Sequence, residues 1–266
     1  MVDKLQQILH YAAAGQVWKM TLDETGGRLY IAVRNEEAHE VQFHAFDLNK
    51  AQLLWEGLSF ENSWWTELHE VAGNVMIFST MHDSQNPSER TWFGLDGEEH
   101  HLLWQMDDFY FEQAGAEVFC GWSRSDEEAK RCFYRLIDGE EIGNKALPLE
   151  KNSPAENIPV SFPLHYSEES PHFATFGRYI RHFMQAEPRG AVDYLELEHR
   201  LILSGYVGVG KKLENFLLVL NKEGEQLHYD TLGTELPGIA SDTFMVWDKL
   251  LIYVKHKNEL HGYALD

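Results

Sequence analysis

Cysteine is nearly absent from this chain. Two thiols, Cys120 and Cys132, stand in 266 residues, too few for a disulfide framework and consistent with a reducing compartment such as the cytoplasm. They flank an expected hairpin, where two buried thiols are a commoner arrangement than a functional pair. Long apolar runs are missing too, so no segment is suited to cross a bilayer as a helix. The start, MVDKLQQILHYAAAG, lacks the extended apolar stretch of a signal peptide. Positive charge is scarce: 22 Lys and Arg stand against 43 Asp and Glu, for a formal charge of −21. The basic residues are scattered and form no stripe, which argues against nucleic acid or an anionic membrane as partner.

Catalytic signatures are also lacking. There is no HExxH, GxSxG, CxxC or dinucleotide fingerprint. The stretch GYVGVGKK at 205–212 nearly spells a phosphate-binding loop. Lys212, however, stands where a Ser or Thr must bind magnesium, and LENFLLVLN after it reads as a strand, without the helix N-terminus that such a loop needs. It reads as a glycine-rich hairpin. The 14 histidines show no ligand spacing, and the sequence assigns no metal and no cofactor.

What is present is a repeat. An alternating apolar strand ends in Asp or Asn, a short turn follows, and a second strand begins. VQFHAFD ends at Asp47, TWFGLD at Asp96, CFYRLID at Asp138, NFLLVLN at Asn221 and LHGYALD at Asp266. Asp and Asn suit strand ends because their side chains bond backbone groups two residues on. Period-2 alternation marks half-buried strands. The intervals are 49, 42, 83 and 45 residues, near the length of a four-stranded propeller blade, with one doubled. Two strands precede each of these, WWTELHEV and NVMIFSTM in the second unit, for example. The expected fold is therefore all-β: a single five-bladed β-propeller over residues 1–266. A degenerate sixth blade is the alternative.

The ends sharpen this reading. The last unit stops after its third strand, while QQILHYA near the start resembles the fourth strand EQLHYDT of the unit before it. Residues near 5–13 are expected to pair with 259–265 and close the ring, which removes exposed sheet edges. The doubled interval holds an insertion, about 148–190, with six of the eight prolines. It reads as a loop plus one short amphipathic helix carrying Phe173, Phe176, Ile180 and Phe183, with Ser170 as N-cap and Pro171 at the first helical position.

Candidate ligand-binding residues come from the connections between units, which in a propeller gather at one mouth of the channel. They are Trp64, Trp65 and Glu67; Asp108 and Tyr110; Asp193 and Tyr194; and Asp242. His165 and Tyr166 join them from the insertion, which is read as a lid or a plug. Aromatic faces beside carboxylates suit sugars or a cation, but aromatics at one step of every unit also pack neighbouring sheets.

The strand ends LLWE and LLWQ, each after an Asp turn, resemble quinoprotein-like and WD-like repeats. The order WW…ELHEV, PLHY…HFATF, LSGYVG…ENFLLVLN and DTFMVWDKLLIYVK resembles, over nearly the full chain, an uncharacterised bacterial family known mainly from Bacteroidota with a propeller-like fold. That resemblance implies no activity, cofactor or site residue. The functional expectation is a non-catalytic soluble protein binding a protein or small-molecule ligand at one channel mouth. The alternative is a carbohydrate-binding or carbohydrate-hydrolysing propeller that uses the mouth carboxylates and aromatics.

Overall fold

A computed structural model describes residues 4–83, 85–86, 88–125, 128–143, 160–240 and 243–265. The chain opens with strand β1 (Gln6–Ala12). A first sheet follows, made of β2 (Gln16–Asp23), β3 (Arg28–Asn35), β4 (Glu40–Asp47) and β5 (Gln52–Leu58) in that spatial order. A short 3-10 turn (Ser63–Trp65) leads to a second sheet of β6 (Thr66–Ala72), β7 (Val75–Met81), β8 (Arg90–Asp96) and β9 (Leu102–Met106). The third sheet contains β10 (Phe109–Ala114), β11 (Val118–Ser125) and β12 (Glu128–Arg135). Next come β13 (Val160–Ser161), β14 (Leu164–Ser167) and helix α1 (Phe173–Met184). The chain ends with β15 (Pro188–Glu196), β16 (Arg200–Val209), β17 (Lys212–Asn221), β18 (Gln226–Leu236), β19 (Phe244–Trp247), β20 (Leu250–Lys255) and β21 (Glu259–Ala264). The fold is all-β with one helix among the described residues.

The chain divides into two compact units, Val17–Ile158 and Met1–Gln16 with Pro159–Asp266. In the first, consecutive sheets pack face to face. Tyr30, Val41 and Phe43 of the first sheet meet Leu68, Phe78 and Phe93 of the second in one apolar cluster. Ile77, Trp92 and Trp104 of the second meet Phe109 and Phe119 of the third. The other unit holds two sheets, ordered β14-β15-β16-β17-β18 and β1-β21-β20-β19-β13. Ile202, Leu217 and Val219 of one pack on Phe244, Val246 and Leu251 of the other.

The turn chemistry is as the sequence implies. Asp47 Oδ1 accepts the Lys50 N–H, Asp96 Oδ1 accepts those of Glu98 and Glu99, Asp138 Oδ1 that of Glu140, and Asn221 Oδ1 that of Glu225. Each bond is local, so each can be read from spacing. The final Asp266 lies outside the described residues. GYVGVGKK is a hairpin: Val209 pairs with Lys212 across Gly210 and Lys211, and Gly210 has φ +64°. Cys120 and Cys132 are buried free thiols offset by one register step, Cys120 facing Phe133 and Cys132 facing Gly121.

The N-terminal strand completes the last sheet. β1 runs antiparallel to β21, with Gln7 opposite Tyr263, Leu9 opposite Gly262 and His10 opposite His261. The insertion needs correction. Besides the helix it supplies two strands, β13 beside β19 and β14 beside β15, each outermost in its sheet. Edge positions tolerate a proline-rich segment, because one side of an edge strand needs no ladder donors. Residues 144–159 lie outside the described residues. The helix starts at Phe173, two residues after the expected Pro171. His172 holds the N-cap position, and Ser170 Oγ accepts its N–H. Ile180 is buried, with Phe173, Phe176 and Phe183 packed beside it on the sheet.

Candidate functional site

A cavity of about 230 Å³ opens between the first and second sheets of the Val17–Ile158 unit. Its position follows from strand alternation. Tyr30, Ala32 and Arg34 point to one face of β3, Val41 and Phe43 to one face of β4, and Thr66 and Leu68 to one face of β6. Trp64 and Trp65 rim it from the 3-10 turn, where WWTELHEV reads as strand throughout. That turn is pinned by Ser63, whose buried hydroxyl accepts the Val41 N–H at 3.2 Å, while Trp65 N–H donates to Asn62 O. Thr66 Oγ1 adds bonds to Asn62 O and Thr80 Oγ1.

The polar lining is cationic. Arg34 lies over the Trp18 ring at 4.0 Å and 5.2 Å from the Trp64 ring, and among the described residues no carboxylate forms a salt bridge with it. Partial burial pulls its pKa down from the ordinary arginine value, opposed by the Glu67 charge. Lys19 Nζ donates to Glu67 Oε1 and to Leu68 O, both at 2.9 Å. Arg90 stands 3.8 Å from Glu67 Oε2. Lys19 and Arg90 thus pair with the one lining carboxylate, and Arg34 feels its charge without pairing with it, in a chain whose overall charge has the opposite sign. Trp18 is 57 % exposed and Trp65 42 %, so both present ring surface to solvent.

Glu67 is held in its ionised form. Burial works to raise its pKa, but the Lys19 hydrogen bond and the charges of His69, Lys19 and Arg90 outweigh it and keep it below the usual carboxylate range. His69 is pushed down to about 4, chiefly by burial and also by the charges of Lys19 and Arg90, against the pull of Glu67. Ser79, His69 and Glu67 have the composition of a hydrolase triad but not its geometry. Ser79 Oγ at 2.8 Å and Glu67 Oε2 at 3.7 Å both approach the same nitrogen, His69 Nε2, whereas a triad places acid and nucleophile on opposite nitrogens. Ser79 is also fully buried and accepts from Arg90 at 3.2 Å.

Of the residues singled out in the sequence, Trp64, Trp65 and Glu67 therefore meet at one cavity. Asp108 and Tyr110 lie elsewhere in the same unit. Asp108 occupies the exposed β9–β10 turn with φ +51°, and Tyr110, 66 % exposed, touches Trp92 edge-on. Asp193 sits mid-strand in β15, not in a connection, and is 3 % exposed. It faces His165 across the β14–β15 ladder, with Nδ1 2.7 Å from Oδ1, and its other oxygen accepts the backbone N–H and the hydroxyl of Thr243. Tyr166 and Tyr194 pack on Phe176 of the helix at 4.9 Å each. These four thus brace the inserted strand and helix. Asp242 lies outside the described residues.

Trp18, Lys19, Arg34 and Arg90 were missed by sequence reasoning. The available signal was charge inside strands: Lys19 is central in β2 between Trp18 and Met20. A second cavity, of about 460 Å³, is lined by Asp23, Glu70 and Glu112 among others. Those carboxylates have structural duties. Asp23 caps its own turn at Thr25 and Gly26, Glu70 accepts the Ala114 N–H, and Glu112 holds Arg131 and Trp122.

A family model described as a domain of unknown function (DUF4905) matches residues 22–104. This is less than a third of the chain, a shorter stretch than the near-complete resemblance expected, and it includes most of the cavity lining. No curated protein matches the sequence. Among solved structures, the chain is similar to BamB from Moraxella catarrhalis, at 11 % identity and TM-score 0.31, over 92 % of this chain and 84 % of that one. It is also similar to the β-propeller domain of the Trilobed protease from Pyrococcus furiosus, at 12 % identity and TM-score 0.33, over 93 % and 79 %. A third is the uncharacterized protein lmo1340 from Listeria monocytogenes, at 8 % identity and TM-score 0.34, over 94 % and 81 %.

Proposed function

We propose that this protein is a five-bladed β-propeller, completed by its first strand, that binds a small anionic molecule with a planar apolar part in the Trp18–Trp64 cavity and does not turn it over. The blade reading is supported by sequential strand order in four of the five sheets, by the pairing of β1 with β21 in the fifth, and by face-to-face packing of consecutive sheets within each unit. The binding reading rests on Arg34, a cation braced on two tryptophans at the cavity rim without a carboxylate partner among the described residues. A partly desolvated guanidinium gains most from a planar anion that it can hold by two parallel hydrogen bonds. The cavity volume lies below the range typical of drug-sized ligands, which points to a metabolite-sized one. A single ionised carboxylate beside an unprotonated histidine supplies no matched acid–base pair, which favours binding over catalysis.

The test is a calorimetric titration of the full chain with benzoate and phenyl phosphate against their neutral isosteres, benzamide and phenyl methanesulfonate. The anions are expected to bind at least about 10-fold more tightly, with Arg34→Met removing that preference. Glu67→Gln is expected to strengthen anion binding by deleting the one negative charge. Equal binding of anions and neutral isosteres, indifferent to Arg34→Met, would refute the reading. Carbohydrate binding is the second reading, favoured by the exposed rings of Trp18 and Trp65. It predicts binding of neutral oligosaccharides that is lost in Trp18→Ala and insensitive to Arg34→Met. Hydrolysis would require a second carboxylate about 5–10 Å from Glu67, and none is among the lining residues.

A further inference from the structure

The ladder between the first and last strands places three metal-ligating side chains on one face. His10 of β1 lies directly opposite His261 of β21. Glu259 is two residues from His261 and so shares its face. Glu259 Oε2 is 3.5 Å from His10 Nε2 and 3.3 Å from His261 Nε2, and the three ligand atoms lie within 4.8 Å of one another. The Glu259–His261 contact is a long hydrogen bond and the Glu259–His10 contact is longer still, whereas charge-assisted hydrogen bonds between such groups close to about 2.7–2.9 Å. The observed separations suit a shared ion. Tetrahedral zinc with bonds of about 2.0–2.2 Å has ligand–ligand edges of about 3.3–3.6 Å. The two imidazoles are tilted by 50° with centroids 4.9 Å apart and do not stack.

The surroundings match a metal site as well. Gln7 Nε2 stands 3.0 Å from His261 Nδ1. A half-turn of that carboxamide gives up its long 3.5 Å contact to Leu9 O and presents its oxygen to Nδ1–H, which leaves the Nε2 lone pair for a metal. Metal-bound histidines commonly have such an outer partner. The His261 side chain is 8 % exposed and that of His10 51 %, so one ligand is rigidly seated while the other borders solvent and leaves an entry path. Among the described residues this is the one group of three His, Cys, Asp or Glu side chains with ligand atoms so close together.

We propose that His10, Glu259 and His261 bind a divalent transition metal of the zinc class, with water in the fourth position, and that the ion staples the first strand to the last. Two imidazoles and one carboxylate favour zinc or its neighbours over magnesium or calcium, which prefer all-oxygen shells. The ligands come from residues 10, 259 and 261, so the site exists only while β1 and β21 are paired, and metal binding becomes folding free energy for that junction.

The test is zinc titration of the chelator-treated full chain by calorimetry, with thermal melts in parallel. Wild type is expected to bind one zinc that His10→Ala weakens by about 100-fold or more and Gln7→Leu by about 10-fold. The exposed control His199→Ala is expected to bind as wild type does. At zinc 100-fold above Kd the melting temperature of wild type should rise by about 5–10 °C, and that of His10→Ala should not. His10→Gln repeats the test with a polar side chain should the alanine variant misfold. Absence of zinc binding by wild type, or identical affinity and melting shift in wild type and the His10 variants, would overturn the proposal.

Discussion

Replacing Gly94 by alanine isolates one packing decision in the second sheet. Gly94 on β8 lies directly opposite Trp104 on β9, and the indole lies across the glycine. A methyl carbon added there would stand 2.5 Å from Nε1 and 2.7 Å from Cζ2 of Trp104, where carbon contacts normally keep about 3.5–4.0 Å. The ring must therefore move by about 1 Å, and it is poorly free to do so. It is buried, stacks on Phe119 at 4.4 Å, and donates from Nε1 to Leu136 O at 2.8 Å. Overpacking of this kind costs about 1–3 kcal/mol. Breaking the buried hydrogen bond adds about 1–3 kcal/mol, and losing the stacking about 1 kcal/mol. The reduced entropy of the unfolded chain returns about 0.4–1 kcal/mol. The net expectation is a loss of about 4 kcal/mol, or roughly 10 °C in melting temperature for a chain of this length. Urea denaturation followed by circular dichroism measures it, with near-UV signal reporting the displaced indole. Gly210→Ala is the control, since it meets nothing within 4 Å and pays only for φ +64°. A Gly94→Ala protein as stable as its parent, with an unchanged near-UV spectrum, would refute the packing argument.

Two further perturbations test the polar interior. The His69 pKa falls to about 4 in the fold, from an ordinary value near 6.5, so the folded state binds its proton less readily than the unfolded state. Its contribution to stability is then fully present above about pH 6.5 and lost as pH falls toward 4, by about 3 kcal/mol in all. His69→Gln should flatten that part of the stability–pH profile measured by urea melts; an unchanged slope would show that another group carries it. Tyr253 is fully buried, and its hydroxyl donates to Asp230 Oδ2 at 2.9 Å with His228 Nε2 at 3.0 Å. Tyr253→Phe is expected to cost about 1.5–3 kcal/mol and to raise the Asp230 pKa, which Lys255 and Tyr253 hold down against burial. Carboxylate NMR titration reads that shift, and an unmoved Asp230 would reject the assignment.

Legibility varied with the range of the interaction. The strand-closing residues Asp47, Asp96, Asp138 and Asn221 could be read because their side chains bond backbone two to four residues away. The helix could be read from Phe173, Phe176, Ile180 and Phe183, but its start could not. Ser170 braces the approach to the helix while His172 takes the N-cap position without a side-chain bond. Asp193 departs from its expected place in a connection for a related reason: the sequence shows an acid near the start of a strand, and only the pairing of β14 with β15 buries it against His165. Trp64, Trp65 and Glu67 stand out in the sequence by their aromatic and acidic character. That Lys19, Arg34 and Arg90 would reverse the local charge around them was not visible, because those three come from different strands, β2, β3 and β8.

The sequence by itself determined the all-β class, the turns at Asp47, Asp96, Asp138 and Asn221, the hairpin at Gly210 and the partnership of the first strand with the last. Those features depend on period-2 alternation, on side chains bonding nearby backbone, and on one strand being left without a partner. The tertiary structure alone decided which strand faces meet. The cavity between the first two sheets and the convergence of His10 with Glu259 and His261 both require side chains far apart in sequence to be brought within a few ångströms. That outcome depends on sheet twist, register and packing, which no local pattern encodes.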